Sequence, residues 1–119
     1  MKTIKLILSA MMILVGASLA NVASAACCSV KTGTVVAAAI VPINNNTQQF
    51  FFSLTGVESN KTPCNTSDRF SIDGNSPTGK AVMASILTAK SNGNTVQVVG
   101  KDSCAGWPDS GDIGSLSVQ

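Results

Sequence analysis

Apolar and polar positions change period several times along this chain, and each change marks an element. From Thr34 to Val41 apolar residues occupy both alternating faces and stop at Pro42, which predicts a strand covered on both sides. The polar run Asn44-Asn45-Asn46-Thr47-Gln48 predicts a loop or hairpin tip. A second strand is expected from Gln49 to Thr55, with Phe50, Phe52 and Leu54 on one face and Phe51 and Ser53 on the other. After the loop-like stretch Val57–Ser67, a short third strand is expected at Arg69–Asp73, with Phe70 and Ile72 inward.

The period then becomes helical. Ser76 suits an N-cap, Pro77 the first helical position and Gly93 the stop beyond about Ser91. Val82, Met83, Ile86 and Leu87 form one apolar stripe along that helix. Alternation returns at Thr95–Gly100, where Val96 and Val98 oppose Gln97, and again from about Asp112 to Val118. The apolar parity changes between Ile113 and Leu116, which predicts a bulge near Gly114. The order is strand, strand, strand, helix, strand, strand, and the fold class is mainly β.

The first residues read as an export signal: Lys2 and Lys5, the apolar run Leu6–Leu19, then Ala23-Ser24-Ala25, with cleavage expected after Ala25. The apolar run is short of the roughly 20 residues that span a bilayer, so no membrane span is expected once it is removed. Cys27 follows Ser24-Ala25-Ala26, but a lipobox calls for a larger aliphatic residue where Ser24 stands. Residues 26–119 then form a single domain, secreted or periplasmic. Two of the eight basic residues leave with the signal, and the remaining six match the six acidic ones. A neutral chain gives no reason to expect a nucleic-acid or anionic-membrane partner.

The four cysteines Cys27, Cys28, Cys64 and Cys104 include no Cys-x-x-Cys pair, and the chain has no histidine, so disulfides are favoured over a metal site. Cys64 precedes the third strand and Cys104 follows the fourth, at ends a single bond can join. For Cys27 and Cys28 a vicinal bond is strained, leaving a bond to another chain, a mixed pairing with Cys64 or Cys104, or a free thiol.

Gly74-Asn75-Ser76-Pro77-Thr78-Gly79-Lys80 imitates a phosphate-binding loop, but Ala81 stands where a magnesium-ligating hydroxyl belongs. Without histidine or tyrosine, and without Ser-x-x-Lys, no hydrolase constellation forms. Asp109 and Asp112 are read as turn formers rather than paired catalytic carboxylates. No catalytic residue and no cofactor is expected. Trp107, the sole tryptophan, has two readings: a ring on which a sugar stacks, with Asp109 and Asn45 taking hydroxyl hydrogen bonds, or a plug at one end of a barrel. The Asn-x-Ser/Thr triplets at Asn45, Asn60 and Asn65 are taken as unmodified loop residues.

Three strands, a helix and two strands is the order of the OB-fold, a five-stranded Greek-key barrel with one helix between strands 3 and 4. Three stretches carry a further likeness: Pro63-Cys64-Asn65-Thr66-Ser67-Asp68-Arg69-Phe70, Gly79-Lys80-Ala81, and Val98-Val99-Gly100-Lys101-Asp102-Ser103-Cys104-Ala105-Gly106-Trp107-Pro108-Asp109. They resemble small exported bacterial proteins of the subtilase-cytotoxin/pertussis-like toxin B-subunit type. That resemblance implies a non-catalytic subunit that binds host glycans and forms a homo-oligomeric ring. Phe51, facing away from its neighbours, is then expected to be covered by the helix or by an adjacent subunit. The alternative is an envelope module, structural or holding an exported partner protein.

Overall fold

The computed structural model describes residues 28–119. The signal segment with its cleavage point after Ala25, and the pairing of Cys27, lie outside the described residues. The elements are β1 (Val30–Asn44), β2 (Thr47–Leu54), β3 (Phe70–Asp73), α1 (Pro77–Asn92), β4 (Thr95–Gly100) and β5 (Gly111–Val118).

The strands pair in the order β1-β2-β3-β5-β4, and β4 returns to β1, so the sheet closes on itself. Only β3 and β5 run parallel, and they share just Phe70↔Gly111 and Ser71↔Asp112. Phe50, Phe52, Leu54, Phe70, Val96 and Val98 face the interior, as alternation requires, and Val82, Ile86 and Ala89 of α1 close it. Phe52 sits between Phe50 and Phe70, with ring centroids 5.8 and 5.6 Å away.

β1 is longer than its apolar run suggests. Val30–Thr34 pairs with β4, and Val35–Asn44 pairs with β2. Pro42 does not stop it, because beyond Thr34 the strand has one neighbour only and a missing N–H costs nothing on an open edge. Val36 and Ile43 are extra residues in the pairing with β2, which bends the hairpin. The expected bulge at Gly114 is present: Val99 faces Ser115 and Gly100 faces Ile113, so Gly114 has no opposite.

Ser76 caps α1, its hydroxyl accepting from the Gly79 N–H at 2.9 Å, and Gly93 ends the helix in the left-handed conformation at φ 70°. The apolar stripe is one residue different from expectation. Leu87 is 45% exposed, and Ala89 takes the buried position one half-turn on. Gly79 is required by packing, since a Cβ there would fall 1.7 Å from the Asp73 carbonyl oxygen. The phosphate-loop imitation is thus a capped helix seated tightly on β3, with Lys80 exposed. No helix among the described residues is long and apolar enough to cross a membrane.

Candidate functional site

The loop between β4 and β5, residues 101–110, folds back over the outer face of β2 and β3. Asp112, at the start of β5, holds it there. One carboxylate oxygen accepts from the Ser103 hydroxyl at 2.7 Å and the Ala105 N–H at 2.8 Å, and the other accepts from the Gly106 N–H at 3.0 Å. Burial raises the proton affinity of this carboxyl, but these donors and the nearby Lys101 charge outweigh it and hold the pKa below the usual carboxylate value. Cys104 anchors the same loop through a disulfide to Cys64, with Cα atoms 6.2 Å apart. That bond removes the mixed pairings with Cys28, which is itself disulfide-bonded.

So held, the loop lays Trp107 on β2. The indole meets Phe51 edge to face, centroids 5.2 Å apart at 87°. Arg69 stacks its guanidinium 4.1 Å above the same phenyl ring. Its Nε donates to Ser110 Oγ at 2.8 Å, and Nη2 donates to Asp109 Oδ1 at 3.3 Å. The Ser110 hydroxyl does most to hold the Asp109 pKa down; burial opposes it, and Arg69 with the Ser67 hydroxyl keeps the net shift downward. Trp107 therefore does not plug an end of the closed sheet; it caps an outer face. Phe51 is 3% exposed because Trp107 and Arg69 cover it, not because the helix does.

Beneath Gly106 three polar side chains converge. A Cβ at this glycine would lie 3.1 Å from Gln49 Nε2, 3.3 Å from Asp112 Oδ1 and 3.4 Å from Ser71 Oγ. Gln49 Nε2 and Ser71 Oγ are buried without a hydrogen-bond partner. A side chain at this position would press on all three, so the glycine lets the loop close over them without displacing them.

The three candidate ligand residues separate into two places. Trp107 and Asp109 meet through Phe51 and Arg69. Asn45 stands at the β1–β2 hairpin tip, in a cavity of about 360 Å³ lined by amides including Asn44, Asn46, Gln48 and Asn75. Asn46 there donates its N–H to Asn44 Oδ1 at 2.9 Å, and Asn75 Nδ2 donates to the Asn46 carbonyl. Asn65, the third glycosylation triplet, is buried, donating to Glu58 and accepting from the Arg69 N–H.

No family, curated protein or solved structure matches this chain. Among the described residues no cluster of three or more His, Cys, Asp or Glu is placed to hold a metal ion. Sequence reasoning passed over Arg69, which joins the two aromatic residues to Asp109. The signal for it was the parity of Phe51: an outward phenylalanine needs a cover, and Arg69 precedes the strand that pairs beside it.

Proposed function

We propose that this protein is an exported, non-catalytic binding module of the OB-fold type whose ligand is a glycan. The observation that carries the reading is Trp107, half-buried on the outer face of β2 with Arg69 and Asp109 beside it. An indole offers a flat apolar face to the C–H groups of a sugar ring. A guanidinium and a carboxylate beside it offer donors and acceptors to its hydroxyls. The strand circuit, with its helix between β3 and β4, has the order of an OB-fold. That fold binds oligosaccharides on the face of its second and third strands and on the loops after strands 1 and 4. Here those loops carry Asn45 and Trp107. The likeness of Pro63–Phe70 and Val98–Asp109 to toxin B subunits points the same way, and the Cys64–Cys104 bond suits an oxidising, secreted or periplasmic compartment.

Absence of catalysis fits the electrostatics. A glycosidase needs one carboxyl with a raised pKa to protonate its leaving group. Asp109 and Asp112 are both shifted downward and both committed to holding the loop.

The sole tryptophan makes its own reporter. Glycan-array screening followed by titration of the intrinsic fluorescence with array hits is expected to give a saturable change, and Trp107→Ala, which removes the fluorophore and is therefore read on the array itself, is expected to lose the hits. A blank array with unchanged fluorescence would remove the glycan reading. A second reading, an envelope module that contacts protein, is favoured by one observation: the β1–β2 hairpin carries no charge and exposes large apolar side chains.

A further inference from the structure

From Thr32 to Val57 the chain has no charged residue. That stretch contains all of the hairpin that projects beyond the closed part of the sheet. β4 accompanies β1 only from Val30 to Thr34; past that point β1 has β2 on one side and no strand on the other. Along the open side, Val36 is 54% exposed, Ile40 47%, Val41 37% and Ile43 49%. Exposed edges are ordinarily guarded by charge, by proline or by a covering element. Here charge is absent, and the guards, Pro42 and the bulges at Val36 and Ile43, stand at the two ends and leave Ala37–Val41 open between them. An edge of unpaired N–H and C=O groups flanked by Val and Ile is built to receive another strand.

We infer that the strand it receives is β1 of a second copy, paired antiparallel about a two-fold axis at Ala38. The run Val35-Val36-Ala37-Ala38-Ala39-Ile40-Val41 reads almost the same in both directions, with β-branched residues on either side of three alanines. A two-fold contact demands that kind of self-complementarity, because each residue meets the mirror position of its own sequence. Absence of charge means that no like charges come face to face. The ends also match. In an antiparallel pair centred on Ala38, Pro42 falls opposite Thr34, where the edge passes to β4. A residue with no N–H thus stands where pairing must stop. The contact also closes, because pairing uses up the open edge of both copies and a third has no site there.

A strand of seven residues spans only about 23 Å, so the interface lies at the small end of the range for specific contacts and dissociates on dilution. Sedimentation velocity of the purified chain is expected to show monomer at low micromolar concentration and dimer at hundreds of micromolar. Ala39→Lys, on an exposed position, is expected to weaken association at least about tenfold, as does Ala39→Glu. An equimolar mixture of the two is expected to restore dimer, which a merely misfolded variant does not. Val57→Lys, far from the axis at a residue 91% exposed, leaves association unchanged. Ala37→Cys mixed with Ala39→Cys is expected to form an inter-chain disulfide on oxidation, since these two exposed positions face each other in a pair centred on Ala38 and opposed Cα atoms lie about 5 Å apart. A monomer at every concentration would overturn the inference. So would a larger ring, or a dimer indifferent to charge at position 39.

Discussion

Lys31 is among the largest fully buried side chains described, at 1% exposure, and an ammonium in that position has to be answered. Asp68 answers it, accepting from Lys31 Nζ at 3.1 Å and from Lys61 Nζ at 3.3 Å. Its backbone sits at φ 57°, in the left-handed region that non-glycine residues seldom adopt. Burial works against the charged form of Asp68, but the two lysines outweigh it and lower its pKa. Asp68→Ala is therefore expected to lose about 2 kcal/mol in urea denaturation, because it leaves the Lys31 charge enclosed without its acceptor. Asp68→Asn keeps an acceptor oxygen and a side chain that tolerates left-handed backbone, so its loss is expected to be smaller. In a Lys31→Met background the Asp68→Ala loss should largely vanish; an equal loss there would place the effect in the backbone turn. In the sequence Lys31 was one basic residue among the six that follow Ala25. Nothing near it in the chain marks it as enclosed, because its cover comes from residues 37 positions away.

At the scale of elements, the disulfide and Asp112 hold the 101–110 loop by independent means. Cys64–Cys104 encloses a segment of 40 residues, for which chain entropy sets a contribution of about 4 kcal/mol. Cys64→Ser with Cys104→Ser is expected to lower stability by no more than that, as read from the urea midpoint. Trp107 is expected to keep its native emission below the midpoint, since Asp112 and the Phe51 contact still seat the loop. Loss of that emission in native buffer would make the disulfide the loop's main support. Periodicity made the element order legible, along with the N-cap at Ser76, the bulge at Gly114 and the inward phenylalanines. It could not reveal the length of β1. Val30–Thr34 becomes strand because β4 pairs with it from more than 60 positions away, and Pro42 is tolerated because no strand lies on the other side. The site was half legible for a similar reason. Trp107 and Asp109 stood out by residue type, but a loop has no period, so nothing local told that it folds over Phe51 or that Asn45 lies elsewhere.

For the molecule as a whole, three carboxylates join loops to the sheet, and the chain has no histidine. Asp68 ties the β2–β3 loop to β1, Asp109 ties the β4–β5 loop to Arg69, and Asp112 pins that same loop to β5. All three have folded-state pKa values below the ordinary aspartate value of 3.8. The unfolded chain therefore takes up protons first as pH falls. The stability these groups contribute is fully present above the unfolded value and is lost as pH falls through the depressed folded values. Urea midpoints are accordingly expected to stay level from neutral pH down to about 5 and to fall steadily below about 4. Asp112→Asn should make that fall shallower, since one fewer proton is taken up on unfolding. A step between pH 6 and 7 would contradict this, because no side chain with an ordinary pKa in that interval is present to produce it.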